Sequence, residues 1–126
     1  MLYRVAVRRD LIAQHFLEVP GPEGAVHSHS YVVELEFAGE ELDDKGFLVD
    51  LDLMTEALVG TLERLRDNVL NELPAFRERL PSAENLARTI WEMIVPLLGT
   101  PAAMEATVTV WESGEARASY QREIGR

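Results

Sequence analysis

From Tyr3 to His15 the odd positions read Tyr, Val, Val, Arg, Leu, Ala and His, while the even ones include Arg4, Arg8, Asp10 and Gln14. This period of two predicts a strand with one wet face. Leu17 to Val26 contains Pro20, Gly21, Pro22 and Gly24 and reads as a loop. Alternation resumes from His27 to Ala38, with His27, His29, Tyr31, Val33, Leu35 and Phe37 on one side. GEELDDKG (Gly39 to Gly46) is a turn, and FLVDL after it a short extended piece. The period then changes. Leu51, Met54, Leu58, Leu62 and Leu65 step at helical intervals, with Asp50 or Asp52 as N-cap. A second helix is predicted from Ser82, after Pro81, with Leu86, Ile90, Ile94 and Leu97 on its apolar stripe and Gly99, Thr100 and Pro101 as its stop. Met104, Ala106, Val108, Val110 and Glu112 share the next strand face. Gly114 and Glu115 suit a hairpin turn, and Ala116 to Ile124 forms the last strand.

The order is ββααββ, an α+β arrangement: an antiparallel four-stranded sheet with two helices on one face. No repeat or linker interrupts residues 1–126, which are expected to form a single domain. The uncovered sheet edges favour strand pairing between subunits, so a homo-oligomer is expected.

Composition narrows the chemistry. The formal net charge is −10, which repels phosphate backbones and anionic lipid, so neither nucleic acid nor a membrane surface is an expected partner. There is no cysteine, which removes disulfides, thiolate metal sites and thiol nucleophiles. No apolar run suggests a signal segment, and a cytoplasmic location is expected. The histidines are His15, His27 and His29. His27 and His29 are two apart on one strand and share its core face. His15 falls in phase with Val5, Val7 and Leu11 at the end of the preceding strand, so the imidazoles should converge at one end of the sheet. They read either as unrelated histidines satisfied by hydrogen bonds or as a His₃ site for Zn²⁺ with an open position for water or substrate. Zinc suits imidazole where no thiolate competes; iron, nickel and copper stay open. Glu112 ends an otherwise apolar strand face. Either the strand has emerged into solvent, or the carboxylate anchors a flat heterocycle with side-by-side N–H donors, such as a guanine-like or pterin ring.

IAQH (Ile12 to His15), HSHSY (His27 to Tyr31), G-F-L-V-D-L (Gly46 to Leu51), L-N (Leu70, Asn71), P-S-A-E-N (Pro81 to Asn85) and V-W-E-S (Val110 to Ser113) occur in that order. Together they resemble the 6-pyruvoyl tetrahydropterin synthase / 6-carboxytetrahydropterin synthase family over nearly the whole chain. The resemblance implies a T-fold whose subunits join through their sheets into trimers that stack as hexamers. It implies zinc on His15, His27 and His29, and a pterin held by Glu112. The substrate implied is 7,8-dihydroneopterin triphosphate or a relative, undergoing side-chain elimination or cleavage.

Two departures bear on the reaction. The family's usual catalytic cysteine, about four residues before H-x-H, is replaced by Glu23. The family's Asp-His pair before L-N aligns with Arg66 and Asp67, or after a one-residue slip with Asp67 and Asn68, so its histidine is gone on either alignment. Glu23 becomes the leading acid/base candidate and Asp67 a second. Both Glu23 and Arg66 also read as ordinary surface charges; Arg66 otherwise reads as a clamp for phosphate or carboxylate. The expectation is a zinc-dependent pterin lyase, with a pterin- or purine-binding protein without turnover as the alternative. A T-fold oligomer that uses metal only for stability is the third reading.

Overall fold

The computed structural model describes residues 1–99 and 102–124. Strands β1 (Tyr3–His15), β2 (His27–Gly39), β3 (Glu105–Trp111) and β4 (Arg117–Glu123) form one antiparallel sheet in the order β1-β2-β3-β4. Helices α1 (Leu51–Leu65) and α2 (Ala83–Ile94) lie between β2 and β3 in the chain. α1 packs on β1, and α2 on β3 and β4. The predicted ββααββ order and T-fold architecture are therefore present.

The core lies between the helices and the odd-numbered face of β2. Tyr31, Val33, Leu35 and Phe37 are fully buried there, against Met54, Leu58 and Leu62 of α1 and Leu86, Ile90 and Ile94 of α2. The Trp91 indole N–H donates to the Ala106 carbonyl at 2.9 Å, fixing α2 over β3. Truncating a side chain such as Leu58 or Leu62 to alanine in a core of this kind costs about 2–5 kcal/mol.

Of the two N-cap candidates for α1, Asp50 serves: its carboxylate accepts from the Asp52 backbone N–H. Several other local expectations needed correction. Leu51 is half exposed because it enters the first turn before the helix meets the sheet. Ser82 caps α2, but after Ile94 the chain tightens into a 3₁₀ turn over Val95–Leu98. Pro96 has no N–H to continue the α-helix, and Leu97 turns outward at 62% exposure instead of joining the stripe. Of the predicted stop, Gly99 has φ 66, whereas Thr100 and Pro101 lie outside the described residues. FLVDL forms no strand; Leu48 and Val49 are buried as irregular chain. Met104 and Glu112 fall just outside β3, and Ala116 and Ile124 just outside β4.

Residues 66–82, which carry no clear periodicity, hold two 3₁₀ turns, Leu70–Glu72 and Pro74–Phe76. Ahead of them residues 67–69 run along the free edge of β1. Asp67 N–H donates to the Ile12 carbonyl at 2.8 Å, and Gln14 N–H to the Asn68 carbonyl at 2.9 Å. To make this turn Asp67 takes φ 58, a left-handed conformation it holds alone among the described non-glycine residues. Glycine reaches that region freely and β-branched residues barely at all. Asp67→Gly should therefore leave stability within about 1 kcal/mol of the parent, while Asp67→Val loses about 1–2 kcal/mol. Urea unfolding compares the two; equal stability would show that this φ is not a constraint.

Candidate functional site

The β1–β2 register sets the histidines. His15 lies directly across from His27, Ala13 across from His29, and Leu11 across from Tyr31. Because alternate residues share a face, the three imidazoles gather at the β1-end, β2-start corner. Their ring centroids are 4.5 Å (His15–His27), 5.4 Å (His15–His29) and 5.6 Å (His27–His29) apart. One nitrogen from each can be chosen so that all lie within 4.8 Å of one another. His15 is buried, whereas His27 and His29 are half-buried, so the cluster opens on the β2 side.

Backbone carbonyls select the ring nitrogens. His15 Nδ1 lies 2.7 Å from the Pro81 carbonyl oxygen, and His27 Nδ1 lies 2.8 Å from that of Ala25. A carbonyl can only accept, so both rings carry their proton on Nδ1 and leave the Nε2 lone pair free. His27 Nε2 is buried with no hydrogen-bond partner. An orphaned acceptor among three imidazoles, two of them already oriented by carbonyls, is the donor set a divalent cation such as zinc requires. The residues fit a metal.

The electrostatics agree. Burial lowers the His15 pKa from its usual 6.5; the Pro81 carbonyl opposes this, and the nearby His27 and His29 add to it. The folded protein thus prefers neutral His15, and the unfolded chain binds more protons just below the usual value. Stability should then rise with pH through this window. The metal-free protein is expected to lose stability on acidification from about pH 6.5 downward, and His15→Gln to lose less over the same range. Urea midpoints between pH 7.5 and 5.5 measure this; parallel curves would remove His15 as the cause.

Tyr31 is fully buried beside the cluster, stacked on His29 at 4.9 Å with an interplanar angle of 18°. Its pKa is pushed well above that of an ordinary phenol, first by burial, then by the charges of Glu112 and Glu23. Both carboxylates therefore lie near enough for their charges to be felt at the phenol. Val32 pairs with Trp111, so the next residue along, Glu112, comes opposite Tyr31. Glu112 is exposed, one residue beyond β3, and its N–H donates to Ala116 to close the hairpin. Glu23 is also exposed, in a 3₁₀ turn over Pro22–Gly24 whose Glu23 carbonyl accepts from Leu17 N–H at 2.9 Å. Gly24 permits that turn, because a Cβ there would collide with the Val19 carbonyl.

Arg66 and Asp67 are placed differently. Arg66 caps α1, with its Nε 3.3 Å from a Glu63 carboxylate oxygen. Asp67 is exposed at the β1 edge and held by its backbone. Neither is among the groups whose charges act on His15 or Tyr31. Asn68, the other residue of the slipped alignment, spends its side-chain amide on the Arg64 and Arg66 carbonyls.

Four contributors escaped sequence reasoning. The carbonyls of Pro81 and Ala25 leave no trace in side-chain patterning. Asn71 does more than mark a motif: its amide accepts from Phe16 N–H at 2.9 Å and donates to Phe16 C=O at 3.0 Å, pinning the chain directly after His15. Tyr31 was legible only as a core position, although it follows the histidines in phase.

The chain and its fold match known proteins. The family model for 6-pyruvoyl tetrahydropterin synthase matches residues 4–123. The chain belongs to the 6-pyruvoyl tetrahydropterin synthase family. It is 35% identical over 94 residues to the 6-carboxy-5,6,7,8-tetrahydropterin synthase of Bacillus subtilis, covering 70% of this chain and 62% of that relative. The chain thus spans less than two thirds of that curated relative's length. Among solved structures, 6-pyruvoyl tetrahydropterin synthase from Caenorhabditis elegans superposes with a TM-score of 0.83 at 18% identity, covering 97% of this chain and 96% of that one. A Plasmodium vivax 6-pyruvoyltetrahydropterin synthase in which a catalytic glutamate is replaced by alanine gives 0.77 at 19% identity, covering 98% and 99%. These two likenesses carry the fold.

Proposed function

We propose that this member of the tetrahydropterin synthase family is a zinc-dependent lyase acting on 7,8-dihydroneopterin triphosphate or a closely related pterin. The observation that carries the reading is the unpartnered, buried Nε2 of His27 beside His15 and His29. His15, His27 and His29 would hold the metal through one nitrogen each. When bound, zinc supplies Lewis acidity toward an oxygen of the substrate side chain. Glu112 accepts the paired N–H donors of the pterin ring and so fixes which part of the ligand faces the histidines. Glu23, whose charge is felt at both His15 and Tyr31, is the carboxylate positioned to take and return a side-chain proton. The Plasmodium vivax relative with a catalytic glutamate supports giving a glutamate that role.

Arg66 and Asp67 enter as secondary members, a clamp for the triphosphate and a further acid/base. Residues 67–69 occupy the β1 edge beside Ile12 and Gln14, and the proposed assembly is a trimer or hexamer in which a second copy pairs its sheet edge with the edge backbone they leave free. One domain over residues 1–126 and a cytoplasmic location complete the reading; no helix among the described residues is long and apolar enough to cross a membrane. The alternative, a pterin- or purine-binding protein without turnover, draws support from the missing cysteine and histidine of the family pattern.

Incubating the zinc-loaded protein with dihydroneopterin triphosphate and following products by mass tests the proposal. A 6-carboxy, 6-pyruvoyl or 6-hydroxymethyl product is expected to name the reaction. Glu23→Gln should lower turnover about 10²–10⁴-fold with pterin affinity retained. Unchanged substrate despite tight binding would sink the lyase and leave the binding protein.

A further inference from the structure

The β1–β2 register stops at the His15–His27 pair, so the chain just after His15 has no strand partner on that side. On the opposite edge the segment following α1 takes over. Val69 bridges to Gln14, whose N–H donates to the Asn68 carbonyl at 2.9 Å. Two residues beyond Gln14 a side chain replaces the backbone as partner. Asn71 Oδ1 accepts from Phe16 N–H at 2.9 Å, and Asn71 Nδ2 donates to the Phe16 carbonyl at 3.0 Å. Only this orientation of the amide satisfies both contacts, because a carbonyl cannot donate.

The two bonds act on consecutive peptide groups. Phe16 N–H shares a rigid plane with the His15 carbonyl, so its direction sets ψ of His15, the torsion that ends the strand beneath the imidazole. The Phe16 carbonyl shares the next plane with Leu17 N–H, which donates to the Glu23 carbonyl at 2.9 Å. One primary amide thus holds the peptide of a histidine at the cluster and the peptide on which the Glu23 turn rests. Asn71 is itself fixed, in the 3₁₀ turn Leu70–Glu72 that fully buried Leu70 anchors.

We propose that Asn71 is a positioning residue of the metal site: its amide keeps His15 in ligating geometry and ties the Glu23 turn to that ligand. This inference rests on the metal-site reading above and deepens it, since it makes a ligand and the proposed acid/base the two ends of one clamp. Asn71 acts only through the backbone of residues 15–17, where both of its amide atoms are engaged.

Asn71→Ala removes both bonds. Asn71→Asp keeps an acceptor for Phe16 N–H but sets a carboxylate oxygen against the Phe16 carbonyl. Ile94→Val, at the last residue of α2, trims the core and controls for a general loss of stability. Chelator competition on the folded proteins gives the zinc Kd, and NMR gives hydrogen exchange at the Leu17 amide. In Asn71→Ala the zinc Kd should rise about 10–100-fold, the range for losing an outer partner of a metal ligand, and Leu17 should exchange faster. In Asn71→Asp Leu17 should exchange as fast as in the alanine variant, with the zinc Kd nearer the parental value. Ile94→Val should leave the zinc Kd unchanged. A zinc Kd unmoved by Asn71→Ala, or raised as much by Ile94→Val, would overturn the proposal, as would unaltered Leu17 exchange in both Asn71 variants. Should the alanine variant not fold, Leu17 exchange in Asn71→Asp decides alone: faster supports the clamp, unaltered removes it. A parent that retains no zinc overturns the metal reading and this inference with it. A parent and an Asn71→Ala variant that hold zinc equally well defeat the Asn71 inference alone.

Discussion

His27→Ala is expected to strip the protein of tightly held metal. Parent protein dialysed against zinc should retain about one equivalent per chain, and the variant should fall to background. The reason lies in the pairing of β1 with β2. His27 is the imidazole directly across from His15, and its Nε2 is the buried nitrogen left without a partner. Removing the outer hydrogen-bond partner of a metal ligand costs about 10–100-fold in affinity, so removing a ligand itself should exceed that range. Ser28→Ala supplies the control, since Ser28 neighbours His27 in the chain but is exposed and alternates to the other face. Chelator competition gives the affinities. Metal retained by His27→Ala at the parental level would end the case for a centre at this corner.

The second large effect belongs to Glu112. Glu112→Ala should weaken pterin binding about a hundredfold while leaving bound zinc unchanged, because a carboxylate accepting two N–H donors at once has no substitute nearby. Glu112→Gln keeps one acceptor oxygen but presents an N–H to a donor, so it should bind little better than alanine. Fluorescence titration with 7,8-dihydroneopterin reads both. Undiminished binding in Glu112→Ala would return this residue to the status of a solvated strand end.

The site was legible in sequence where it obeys the strand period. His15, His27, His29 and Glu112 all lie on the core-facing parity, and pairing two antiparallel strands through a loop had to bring the first three together. Helix α1 and the Ser82 cap of α2 were legible for the matching reason, a period near 3.6 beginning at a side chain able to cap. Errors gathered where periodicity stops. Leu51 and Leu97 fit the helical spacing yet stand at ends that the sheet does not cover, and Pro96 retunes the last turn. Segment 66–69 has no period, so its path along the β1 edge, and with it the placement of Arg66 and Asp67, depends on backbone bonds that no side-chain pattern records. The same holds for the Pro81 and Ala25 carbonyls. A peptide oxygen looks alike at every position of a sequence, and only folding makes it specific.

The Pro81 carbonyl has a consequence for how the molecule comes apart. It stands immediately before the Ser82 cap of α2, 66 residues along the chain from the His15 ring that it orients. Fraying of the first turn of α2 thus releases an imidazole on β1, although α2 itself packs on β3 and β4, and an ion held there resists that fraying. Metal loading should slow amide hydrogen exchange at the start of α2, away from any ligand, because opening the helix and loosening the ion are one event.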